Sequence, residues 1–135
     1  MTDPVSNTDD MIAQMSPALD PGTFVFATTN DPDQVARLLP DARALYRETE
    51  GVTMILPLGI AEIEDFDTSL PMACITLEVH SSLEGVGLTA AVATALAKAN
   101  IPCNMVAAFH HDHAFVPADK AERALACLQR QASAR

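Results

Sequence analysis

The sequence predicts an α+β fold of the ferredoxin-like kind, built from two related units. Three observations predict it. From Ile75 to Pro117 the chain spells strand, glycine-bearing turn, amphipathic helix, strand, tight turn, strand, and Ala118 to Arg130 follows as a second helix. That β-α-β-β-α order is most of one ferredoxin-like unit. The first half repeats the order with shorter, weaker elements. Finally, 49% of the 135 residues are hydrophobic while only 4% are aromatic and none is Trp. The chain can therefore fill a real core, but with Leu, Val, Ile, Ala and Met.

Residues 1–8 are polar and are expected to be disordered. Asp9 or Asp10 would cap a short helix running to about Met15. Asp20-Pro21-Gly22 reads as a turn and Thr23–Thr28 as a short strand. Asn30-Asp31-Pro32-Asp33 reads as a turn or helix start, followed by a short, weak helix to about Leu39 that Pro40 stops. A hairpin follows, with strands Ala42–Thr49 and Val52–Pro57 around a Glu50-Gly51 turn. Leu58–Phe66 reads as a short helix and 65–71 as a linker. The expected organisation is an N-terminal unit over 9–69 and a C-terminal unit over 70–135, with antiparallel sheets and helices on one face.

The second half carries the clearer periodicities. Ala73, Ile75, Leu77 and Val79 share one face of a half-buried strand, with Cys74, Thr76 and Glu78 on the other. Leu88, Ala91, Val92, Ala95, Leu96 and Ala99 follow the helical rule within Val86–Ala99, and Asn100 is placed to end that helix. Met105, Ala107 and Phe109 alternate in the next strand. His111-Asp112 is expected at the turn, and Ala114–Val116 returns. Ala121, Ala124, Leu125 and Leu128 stripe the last helix.

Charge excludes several partners. Net charge is -10, and all of it falls in residues 1–70, where 13 acids face Arg37, Arg43 and Arg47. Such a chain offers no basic face to nucleic acid or to anionic lipid. No signal pattern or membrane-length apolar run is found, so the expected place is the cytoplasm. Cys74, Cys103 and Cys127 form no C-x-x-C pair and read as reduced core or semi-buried residues.

Three groups could carry chemistry. The loop His80-Ser81-Ser82-Leu83-Glu84-Gly85-Val86-Gly87-Leu88 hands a strand to a helix. Its glycines allow positive φ and close approach, and a helix start offers N–H groups to a small anion. The plain alternative is a turn that needs glycine for geometry alone, and sequence weighs the two equally. The spacing is not that of a dinucleotide fingerprint, and no cofactor is expected. Second, His110-His111-Asp112-His113, with His80 a strand away, invites a metal. Neighbours on a strand point to opposite faces, so only His111 and His113 would converge, and a polar hairpin tip with Asp112 in an Asx-turn is preferred. Third, no segment resembles a nucleophile elbow. Arg43 and Arg47 either pair with local acid or hold a ligand carboxylate.

The run VHSSLEGVGLTAAVATALAKANIPCNMVAAFHHDHAFVP resembles a bacterial family of small ACT domain-containing proteins with the aspartokinase-type regulatory fold. The residues that carry the resemblance are Val79-His80-Ser81, Gly85, Gly87, the Leu/Ala-rich helix, Ile101 and the His-Asp-His-x-Phe-Val-Pro run at His111–Pro117. Phe24-Val25-Phe26 and Glu48–Thr53 extend it into the first half. The resemblance implies βαββαβ units used in pairs, commonly as a homodimer, binding a free amino acid at an interface. Carried over, the ligand-binding positions are His80–Leu88 and Ile101, Pro102, Cys103 and Asn104, with Asp112 a further neighbour. Glu84 or Asp112 would hold the ammonium group. It implies an allosteric protein without catalytic activity. The rivals are a ligand-free dimerisation module and a small metal-dependent enzyme built on His80, His111 and His113.

Overall fold

A computed structural model describes residues 15–78 and 87–133. The expected disordered stretch 1–8, the short helix ahead of Met15 and the loop residues His80–Val86 lie outside the described residues. The elements in chain order are β1 (Pro17–Leu19), β2 (Phe24–Thr29), α1 (Pro32–Leu38), β3 (Ala44–Arg47), β4 (Val52–Pro57), α2 (Leu58–Ile63), β5 (Met72–Leu77), α3 (Leu88–Lys98), β6 (Asn104–Ala107), β7 (Asp112–Pro117) and α4 (Ala121–Ser133). Short 3₁₀ turns cover Leu39–Asp41 and Ala118–Lys120. The chain forms two compact units, one over Gly22–Met72 and one joining the described residues up to Pro21 to those from Ala73.

In the Gly22–Met72 unit, β4 lies between β3 and β2, antiparallel to both. Met72 stands opposite Phe24 on the free side of β2. Ala27, Met54 and Leu56 from the sheet close over Leu38, with Val35 and Ile60 from the helices packed alongside. Both helices thus sit on one sheet face. In the other unit β1 runs antiparallel to β5, with Ala18 opposite Thr76. β7 is neighbour to both β5 and β6. Ala73, Ile75, Leu77, Ala114 and Val116 meet Leu88, Val92 and Leu96 of α3 and Ala124 and Leu128 of α4. Each unit places the second hairpin strand beside its first strand, the ferredoxin-like order.

The units repeat each other locally. β4 and β7 are both six residues long, end in proline and hand over to a helical segment at matching angles: Pro57 has φ -55 and ψ 140, Pro117 φ -54 and ψ 137. Proline fixes φ and lacks an N–H, so it suits a strand end that opens a helical turn. Asn100 ends α3 in the left-handed region at φ 60, and Ile101 N–H returns to Leu96 O at 2.9 Å. That is the helix stop expected of it.

Four sequence expectations shift. β1 was not expected; Pro17-Ala18-Leu19 is too short to show a period and is a strand only because β5 offers it partners. β5 is buried on both faces, at Ala73 and Ile75 on one and Cys74 on the other, rather than on one face only. The first hairpin turns one residue early. Glu48 and Gly51 exchange backbone bonds around Thr49-Glu50, at 2.9 and 3.3 Å. The second hairpin turns at Phe109-His110, where Ala108 N–H reaches His111 O at 3.1 Å. Phe109 is therefore 72% exposed rather than in register with Met105, and Asp112 opens β7 rather than the turn.

Gly51 sits in a crowded corner. A Cβ there would lie 3.0 Å from Asn30 Oδ1, 3.1 Å from Thr28 Oγ1 and 3.3 Å from Thr29 O. The backbone oxygen cannot swing away as a side chain can. Gly51→Ala is expected to cost about 1–3 kcal/mol by overpacking, read as a lower urea midpoint at unchanged slope.

Candidate functional site

The turn from β5 into α3 is the first place to look, and its last residue is described. Gly87 precedes the helix at φ 103 and ψ -17. An L side chain at that φ crowds the following carbonyl, so glycine is required there. Among the described residues no side chain caps α3, and its first turn carries no acid. The early N–H groups of Leu88, Thr89 and Ala90 therefore keep the partial positive charge of a helix start. Leu88 itself is 4% exposed and belongs to the core, so only its backbone can serve a ligand.

The expected site residues fall into two places. Asn104 pairs with Phe115 and Asp112 with Ala107, at opposite ends of the β6–β7 ladder. Three residue steps along the strands separate them, about 10 Å. Ile101 is buried in the core and Cys103 packs against it, its thiol 3.6 Å from Met105 Sδ. Burial pushes the Cys103 thiol up, which makes it a poor nucleophile. Pro102 and Asn104 are exposed. His80, Ser81, Ser82, Leu83, Glu84, Gly85 and Val86 lie outside the described residues. The structure thus brings no single pocket around Ile101–Asn104 and Asp112 together.

Thr76, near the end of β5, and His113, near the start of β7, are joined by a 3.0 Å hydrogen bond between Oγ1 and Nδ1. Sequence placed Thr76 only on the outward face; the partnership follows from strand register, which no local pattern encodes. A hydroxyl beside an imidazole can donate, accept or relay a proton. His111 Nδ1 is buried with no hydrogen-bond partner among the described residues. Among the described residues no group of three His, Cys, Asp or Glu side chains is placed to hold a metal. No described helix is long and apolar enough to cross a membrane.

Asp112 is the acid at this end of the sheet. Alternation along β7 puts it on the face of Ala114 and Val116. Burial raises its carboxyl above the ordinary range, with the charges of His113 and His111 pulling it partly back. The folded state then holds the proton more tightly than the unfolded chain. Stability conferred this way is present at low pH and falls as pH rises from the unfolded value through the raised one. Asp112→Asn is expected to raise the urea midpoint at pH 7 relative to the parent, with the advantage shrinking as pH drops below that window.

Two family models, each described as ACT domain, match residues 4–73 and 69–130. The chain belongs to the ACT domain family. The ACT matches meet where β5 begins, so the family unit occurs twice. A Vibrio cholerae protein of unknown function, described as a possible transport protein, is 40% identical, with a TM-score of 0.80 over 90% of this chain and 93% of that one. The ligand-free regulatory subunit of aspartate kinase from Thermus thermophilus is 11% identical at TM-score 0.63, over 89% and 97%. Escherichia coli aspartokinase III, solved with aspartate and ADP, is 13% identical at TM-score 0.62, over 86% of this chain and 33% of that one. The two kinase likenesses concern the ACT fold alone. No curated protein matches the chain.

Proposed function

We propose that this ACT protein is a regulatory, non-catalytic module that binds a small ligand, a free amino acid, at the turn from β5 into α3. The observation that carries the reading is the start of α3 behind the left-handed Gly87, which no side chain among the described residues caps. A carboxylate is the ligand group such a helix start selects, because N–H dipoles converge there and the first helical turn itself carries no acid. In this reading His80–Val86 complete the site and Glu84 or Asp112 receives the ammonium group. The Ile101–Asn104 stretch, at the other end of the sheet, would be reached from a second copy of the chain in a homodimer. Regulation would follow from unequal affinity of the ligand for two arrangements of the protein.

A thermal-shift screen against the twenty amino acids tests this. An amino acid supplied at about a hundred times its Kd adds roughly 2.7 kcal/mol to stability. A selective rise in melting temperature with one or two amino acids is expected. Silence from all twenty, with a sharp transition, would sink the reading. Elemental analysis of the purified protein separates the metal alternative: stoichiometric metal would favour the histidine hairpin over the helix start.

A further inference from the structure

Met15, the first described residue, is 4% exposed and packs into the core with Val92 of α3 and Leu128 of α4. It lines a crevice between the two helices together with Ala91 and Gln131. A groove of about 370 Å³ shares Ala91 and Gln131 with that crevice and runs along α3 past Thr94 and Ala95 to Lys98. From Ala91 to Lys98 is seven residue steps, about 10 Å along the helix. A chain that enters the core at Met15 therefore arrives at one end of this groove.

The sequence just before Met15 matches the groove in pattern, length and charge. Met11, Ile12 and Met15 fall on one face of a helical period, so a helix ending at Met15 would turn Met11 and Ile12 the same way. The alanines at 91 and 95 leave room for such side chains. Six residue steps from Met15 back to Asp9 span about 9 Å as a helix, close to the length of the groove. Residues 1–14 hold Asp3, Asp9 and Asp10 and no Lys or Arg. In a chain of net charge -10, α3 and α4 together hold three bases, Lys98, Arg123 and Arg130, against one acid, Glu122. Opposite charges at this spacing favour the pairing.

We propose that residues 9–14 close over the groove between α3 and α4 of their own chain as a short helix, with Met11 and Ile12 covering Ala91 and Ala95 and with Asp9 or Asp10 meeting Lys98. The face of α3 that lines the groove is then filled from within and closed to other partners.

Methyl NMR of the full chain, labelled at Met and Ala methyls, tests this, with Met11→Leu identifying the Met11 signal. Cross-peaks between the Met11 methyl and those of Ala91 or Ala95 are expected. They should vanish when molecules labelled only at Met are mixed with molecules labelled only at Ala. Cross-peaks that persist in the mixture would show that a second copy supplies the segment, and would overturn the proposal. Amide exchange gives a second readout. The amides of Ile12, Ala13 and Gln14 should exchange at least about tenfold more slowly than in a free chain, and Met11→Asp should bring them back to within about twofold of it. Free-chain exchange at these amides, with β5 still protected and no Met11 cross-peak, would also overturn it.

Discussion

Replacing Leu96 with alanine is expected to cost the protein about 2–5 kcal/mol, the range for a buried leucine whose cavity cannot fully collapse. Leu96 has no exposed surface and lies on the inner face of α3 in the core that also holds Ile75, Leu77, Val116 and Leu128. α4, the sheet and the neighbouring turns of its own helix surround it. None can move in alone, because Cys127 of α4 is already fixed against Ala95 O at 3.5 Å and Arg123 against Ala99 O at 2.5 Å. A small domain holds only about 5–15 kcal/mol in all, so the loss is a large fraction of the total. Ile63→Ala is the contrast. Ile63 is 83% exposed, and its change should stay within about 0.5 kcal/mol. Urea denaturation of both, with slopes compared, decides the matter. A Leu96→Ala loss below about 1 kcal/mol would remove Leu96 from the centre of the core.

The same residues explain what the sequence could and could not reveal. α3 and α4 were legible because a helix writes its buried face at every third and fourth position, and Leu88, Val92, Ala95 and Leu96 do lie inward. Asn100 was legible as a stop because few other residues accept φ near 60. Strand ends were less legible. Their limits depend on partners far away in sequence, and so β1 was missed and both hairpin turns fell one or two residues from where composition placed them. The ACT resemblance reached further than periodicity could, since it pointed to a repeated unit that the weak first half barely shows. The site was legible in type but not in assembly. Local sequence marks Gly87 as a turn residue. Only register reveals that Asp112 and Asn104 stand at opposite ends of a ladder, and that Thr76 meets His113.

Gly87→Val is the substitution with the largest expected effect on binding. At φ 103 the position lies where an L residue costs about 1–2 kcal/mol, and a β-branched side chain stiffens the backbone further. The helix can still form, because Ala91 N–H bonds to Gly87 O at 2.8 Å and the inner face of α3 is unchanged. What changes is the direction in which the first N–H groups point. Anion binding at a helix start depends on that convergence, so at least a tenfold rise in Kd for the responding amino acid is expected. In a thermal-shift assay at a fixed concentration, a stabilisation of about 2.7 kcal/mol would shrink to about 1.4 kcal/mol. Loss of stability alone cannot mimic this, because Gly51→Ala is expected to lower stability by a similar amount and leave Kd unchanged. If Gly87→Val folds and binds as tightly as the parent, the ligand does not use the start of α3. If Gly51→Ala weakens binding as much, the site reaches into the Gly22–Met72 unit, and the assignment of the ligand to the C-terminal ACT unit fails.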